Sequence, residues 1–89
     1  MPIHKPISQY MTAGYLELKP GYDRELKTEY EEVNVFLEGS LTYSFGGESF
    51  VARKGDLVVI QQGSRVHYTT DEGCLVFFAL HPQLKPRQG

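Results

Sequence analysis

No apolar pattern in this chain recurs at helical spacing for more than two turns. Short β-rich runs punctuated by glycine recur instead, at intervals of roughly ten residues. That punctuation is the pattern of an all-β sandwich or barrel, in which each strand is brief and each turn needs a residue tolerant of unusual backbone angles. With 89 residues there is length for one core and too little for two, because chains of this size hide only a modest share of their surface. One domain over residues 1–89 is expected, with its core at about 12–82.

The runs can be placed in order. Thr12 to Lys19 alternates and stops at Pro20-Gly21, a dipeptide suited to a type II turn. From Glu32 to Glu38, Val33, Val35 and Leu37 share one face and Asn34 and Phe36 the other, so both faces are expected to be partly covered. Gly39 breaks or bends this strand. Leu41, Tyr43 and Phe45 then alternate with Ser40, Thr42 and Ser44, and Gly46-Gly47 supplies a tight hairpin into Ser49 to Arg53. After Lys54-Gly55-Asp56, the four apolar residues Leu57 to Ile60 predict a strand buried on both faces. Val66 to Thr70 and Cys74 to Leu80 are two further strands, and His81-Pro82 ends regular structure.

Nine Lys and Arg stand against eleven Asp and Glu, a formal charge of -2 with neither sign gathered into a block. No footprint for nucleic acid or an anionic membrane results, and a small neutral or weakly acidic partner fits better. The lone Cys74 lies in an apolar run and is expected to be a buried thiol. No apolar stretch approaches the roughly 18 residues that span a bilayer, and the N-terminus has no apolar signal region. A soluble, cytoplasmic protein is expected.

Glu31 to Gly39, followed by Lys54 to Gly63, resembles the two motifs of the cupin superfamily. Glu32 and Gly39 have the glutamate-to-glycine spacing of the first motif. Gly55 and Gly63 fall on the two glycines of the second, whose proline is here Gln61. Within that superfamily the chain is similar to the ethanolamine-utilisation type, EutQ, through Ala13 to Leu18, Tyr30 to Val33, Leu37 to Gly39 and Gln62 to His67. The resemblance implies a jelly-roll barrel, commonly a homodimer, with an acetate-kinase-like or microcompartment-linked role. No glycine-rich phosphate loop accompanies it, and the long N-terminal extension such proteins can carry is not expected here.

The resemblance also implies where a metal would sit, since cupin metals are held by histidines plus one carboxylate, a set suited to Fe, Mn, Ni or Zn. The first two histidine positions fall on Leu26 and Thr28, or on Glu25 and Lys27, and neither register offers a histidine. The third falls on Val66. His67, one residue on, should point to the opposite face of its strand unless a β-bulge at Ser64-Arg65 swaps the faces. The expectation is therefore no cofactor. The alternative is a divalent transition metal on Glu32 and His67, completed by Glu25 or Glu29, in an enzyme of the isomerase or oxygenase type. His4 and His81 are read as surface residues.

With no metal, parity supplies the pocket. If Glu32 faces inward, Asn34 and Phe36 follow on the same face, Tyr30 and Thr28 continue the wall, and Val66 joins it from the second motif. Glu32 is expected to have a raised pKa and is the candidate catalytic acid or base. The leading expectation is a metal-independent cupin that binds a small polar or carboxylate ligand. A homodimer should cover the apolar strand surface that one small barrel leaves over.

Overall fold

The computed structural model describes residues 12–81. They form seven strands: β1 (Thr12–Leu18), β2 (Asp23–Lys27), β3 (Glu31–Phe45), β4 (Glu48–Arg53), β5 (Leu57–Ile60), β6 (Arg65–Thr69) and β7 (Cys74–His81). Every pairing between them is antiparallel. No helix of the described residues is long and apolar enough to cross a membrane.

The architecture turns on β3, whose 15 residues serve two sheets. Its first half lies between β7 and β5, giving the order β1-β7-β3-β5. Its second half lies between β6 and β4, giving β2-β6-β3-β4. The strand crosses from one sheet to the other at a register shift between Phe36 and Glu38. Because one inserted residue swaps the faces, the inward set changes from Asn34 and Phe36 before the bulge to Leu41 and Tyr43 after it, and all four are buried. Gly39 sits at the corner with φ +78°. A Cβ there would overlap the carbonyl oxygen of Gly73, so only glycine fits.

The Gly46-Gly47 hairpin also forms, joining Phe45 to Glu48 through two residues at φ +57° and +80°. Positive φ at both turn positions is the geometry whose twist matches the flanking strands. The Pro20-Gly21 turn closes with a 3.1 Å hydrogen bond from the Tyr22 amide to the Lys19 carbonyl.

Between the sheets lies a core of Phe36, Leu41, Tyr43, Ala52, Ile60, Val66, Tyr68, Cys74 and Val76. Tyr43 is its hub, stacked on Phe50 at 5.0 Å and edge-on to Phe36 and Tyr68 at 6.2 and 5.5 Å. Burying each large apolar side chain contributes roughly 1.5–3 kcal/mol, which makes this cluster the main term holding the two sheets together. Cys74 is part of it, a buried free thiol as its apolar run predicts.

One strand was not anticipated and one expectation needs correction. Asp23–Lys27 forms a strand that apolar periodicity does not signal, because all five of its residues are exposed and only Leu26 is apolar. It is held by pairing with β6, from Asp23 opposite Thr69 to Lys27 opposite Arg65. The run Leu57 to Ile60 is not buried on both faces. Among the described strands β5 pairs only with β3, so Ile60 faces the core while Leu57 and Val59 remain 61% and 59% exposed on the outer side.

Candidate functional site

The inward face of β3 carries the one carboxylate that is half-buried among the described residues, and it opens into the barrel. Glu32 lines a cavity of ≈ 100 Å³ together with Asn34 on the same strand face, Tyr22 from the turn before β2 and Tyr68 from β6. Leu16 and Leu18 of β1, Leu26 of β2, Leu41 of β3 and Val76 of β7 complete an otherwise apolar wall. Few polar groups set into an apolar concavity is the usual form of a small-molecule site.

Asn34 organises the polar side. Its amide is satisfied when Nδ2 donates to Glu32 Oε2 at 3.0 Å and Oδ1 accepts from the Tyr43 hydroxyl at 3.0 Å; the reverse orientation would set oxygen against acceptors. A chain of hydrogen bonds thus runs from Tyr43 through Asn34 to the carboxylate. Among the described residues no buried side-chain nitrogen or oxygen lacks a partner.

Burial raises the Glu32 carboxyl above its ordinary value of 4.5, because the apolar wall disfavours the charged form. Tyr68 is pushed up to about 12, first by its own burial and then by the nearby Glu32 charge. Burial likewise raises Tyr43, opposed by the hydrogen bond to Asn34 and reinforced by the charges of its neighbours.

The other residues singled out by sequence are placed as follows. Thr28 is buried in the turn between β2 and β3, where its hydroxyl lies 3.0 and 3.2 Å from the carbonyl oxygens of Gln61 and Ser64 and accepts from the Ser64 amide at 3.1 Å. It clasps the turn before β3 to the Gln61–Ser64 turn and does not line the cavity. Tyr30 is half-buried in the same turn and is also outside the lining, because strand parity does not extend through residues 28–30. Phe36 lies deeper, in the core. Val66 is buried beneath a second depression of ≈ 280 Å³ walled by Tyr43, Phe45, Phe50 and Val58, where the described residues bring no carboxylate, imidazole or ammonium.

His67 does not reach Glu32. With Val66 inward, His67 points outward and its Nε2 lies 2.5 Å from Asp23 Oδ1 across the β2–β6 pair. The bulge needed to reverse these faces does not form, since β2 and β6 pair in unbroken register from Lys27/Arg65 to Asp23/Thr69. The described residues therefore do not fit a histidine-held metal: Leu26 and Val66 occupy inward positions where imidazoles would be needed. Among the described residues no group of three or more His, Cys, Asp or Glu is arranged to hold a metal ion. His81 is exposed at the end of β7, and His4 lies outside the described residues.

A wide groove of ≈ 450 Å³ at the Gly39–Gly73 contact is flanked by Glu17, Glu38 and Glu72, and is open to solvent. Among the described residues its carboxylates form no group that could hold a metal ion, and Glu72 accepts a hydrogen bond from the Ser40 hydroxyl at 2.8 Å. The Glu32 cavity is thus the better-built site.

Leu16, Leu18, Tyr22, Leu41 and Val76 are contributions that sequence reasoning missed. Tyr68 had a readable signal, standing two residues beyond Val66 on one strand face. The others depend on pairings between distant segments.

Comparison with known proteins agrees with this architecture. The family model described as "Ethanolamine utilisation protein EutQ" matches residues 5–83. No curated protein matches the chain. Among solved structures, the EutQ protein of Clostridium difficile superposes with a TM-score of 0.79 at 21% identity, covering 84% of this chain and 59% of that one. A putative ethanolamine utilization protein Q from Salmonella typhimurium LT2 gives 0.76 at 26% identity, covering 82% and 58%. A cupin-2 domain protein from Shewanella frigidimarina gives 0.73 at 17% identity, covering 98% and 80%. The chain spans less than three fifths of the length of the two EutQ structures.

Proposed function

This chain belongs to the EutQ family of ethanolamine utilisation proteins and has the cupin barrel fold, and from that premise we propose that its barrel interior binds a small polar molecule at Glu32 without a histidine-held metal. The observation that carries this reading is the Glu32 cavity itself: a half-buried carboxylate, oriented by Asn34 and faced by two tyrosines in an aliphatic wall. A carboxylate is costly to desolvate, and holding one in this position without a described ion-pair partner points to a ligand-directed role. Glu32 is also the candidate general acid or base should the bound molecule be transformed, since burial moves its carboxyl toward neutrality. The setting we propose is cytoplasmic, with no nucleic-acid or membrane partner, in keeping with the balanced charge.

The test is a thermal-shift screen of small polar compounds against the wild type and Leu16→Trp, whose indole would fill the cavity mouth from a position 43% exposed. Compounds should raise the melting temperature of the wild type and not that of the variant. A screen with no shift in either protein, or equal shifts in both, contradicts the reading.

A second reading concerns the outer face of the β1-β7-β3-β5 sheet and proposes a homodimer. Register aligns Ala13, Ala79, Val33 and Val59 in one row across all four strands, and Tyr15, Phe77, Val35 and Leu57 in the next. Tyr15 and Phe77 meet edge to face at 5.7 Å. Two unbroken apolar rows on one sheet face form a patch of the kind that a second copy of the chain would cover.

A further inference from the structure

The chemistry of the Glu32 cavity narrows its occupant further, given the reading that the barrel interior binds a small molecule. Among the described residues Glu32 is the one acidic or basic side chain in the lining. Among the described residues it makes no ion pair, and only one of its carboxylate oxygens has a hydrogen-bond partner, Asn34. The groups that face it from the surrounding elements are phenols and hydrocarbon: Tyr22 before β2, Tyr68 on β6, and leucines of β1, β2 and β3. No described cation offsets the charge.

An incoming carboxylate would bring like charge against Glu32. An alcohol would donate one hydrogen bond and leave the charge standing. A primary ammonium ion supplies three donors and the missing positive charge, and the electron-rich faces of tyrosine rings favour a cation beside them. Size sets the other limit. A cavity of ≈ 100 Å³ lies well below the roughly 300–1,000 Å³ of drug-sized ligand sites, which favours a small organic ion, and a quaternary ammonium such as choline brings no N–H donor to Glu32.

We propose that the barrel cavity is a recognition site for a short primary ammonium ion, whose charged head meets Glu32 and whose carbon tail packs against the leucines and Val76. Glu32 takes the part of counter-ion and Asn34 holds it in place.

The probes are ethylammonium, choline, acetate and ethanol, titrated separately into the full chain at pH 8 with saturation-transfer NMR as the readout, in the wild type and in Glu32→Gln. Ethylammonium should bind the wild type and bind Glu32→Gln at least about tenfold more weakly, since a charge-assisted contact is lost; acetate and choline should show no transfer. Binding of ethanol or acetate with ethylammonium excluded overturns the ammonium assignment and leaves small-molecule binding intact. No binding by any probe removes the ammonium assignment, and the broader screen with Leu16→Trp then decides whether a ligand site remains. Should Glu32→Gln fail to fold, the wild type at low pH serves instead: ethylammonium binding should fade as the Glu32 carboxyl protonates. Ethylammonium binding indifferent both to Glu32→Gln and to acid overturns the proposal.

Discussion

The Asn34 amide stands 3.0 Å from the Tyr43 hydroxyl oxygen, joining two halves of one strand across the barrel interior. Asn34 precedes the bend in β3 and Tyr43 follows it, so the contact ties the facing sheets together while it orients the amide toward Glu32. Tyr43→Phe keeps the stacking on Phe50 and removes only the hydroxyl, leaving a buried amide oxygen without its donor. The expected cost is about 1–3 kcal/mol, read as a lowered midpoint in urea. An unchanged midpoint would show that the contact contributes nothing.

The corner of β3 offers a sharper contrast. At Gly39 a methyl group meets both a positive φ and the backbone of Gly73, whereas at Gly47 it meets positive φ with open space around it. Gly47→Ala should cost about 1 kcal/mol, the strain of a left-handed non-glycine residue. Gly39→Ala should cost several times more, and is expected to yield little folded protein at 37 °C. Equal losses at the two sites would mean that the Gly39–Gly73 approach is not close in solution.

Glu32 should make stability depend on pH with a definite sign. Its folded-state carboxyl is raised above the ordinary value of 4.5, so the folded state holds the proton more tightly than the unfolded chain does. The resulting stabilisation is fully present below about pH 4.5, the ordinary value, and is lost as pH rises through the raised folded value. Glu32→Gln, which cannot ionise, should therefore melt a few degrees above the wild type at pH 7 and converge on it at pH 4. Calorimetry at several pH values checks this; a variant less stable than the wild type at pH 7 would show that Glu32 has a compensating partner.

The strand map was largely legible because alternation and turn glycines are local signals. Glu32, Asn34 and Phe36 could be put on one face from parity alone, and the bend at Gly39 from the glycine. Asp23–Lys27 was not legible, since an exposed strand with a single leucine has no apolar period and exists through its pairing with β6. Leu57 to Ile60 misled for a related reason: four apolar residues signal coverage on both sides, but not whether the outer cover comes from the same chain. The site was half legible. Its carboxylate and amide sit on one strand, whereas Leu16, Tyr22 and Val76 join them through long-range register that no local pattern encodes, and Thr28 was diverted to holding the Gln61–Ser64 turn.

The outer face of β5 yields a prediction of its own. Leu57→Lys combined with Val59→Lys places two charges in the apolar rows without touching the core. Sedimentation equilibrium should find the wild type dimeric and the double variant monomeric, with near-native circular dichroism. A monomeric wild type would contradict the assignment of this face to a second copy.

The central claim, a ligand site inside the barrel at Glu32, is tested most directly by mapping amide and side-chain NMR shifts while a small polar compound that stabilises the protein is titrated in. The account predicts that the largest changes fall on Glu32, Asn34, Tyr22, Tyr68 and Val76, the residues that surround the cavity. Changes confined to the outer rows around Tyr15 and Leu57, or to the groove at Gly39 and Gly73, would contradict it.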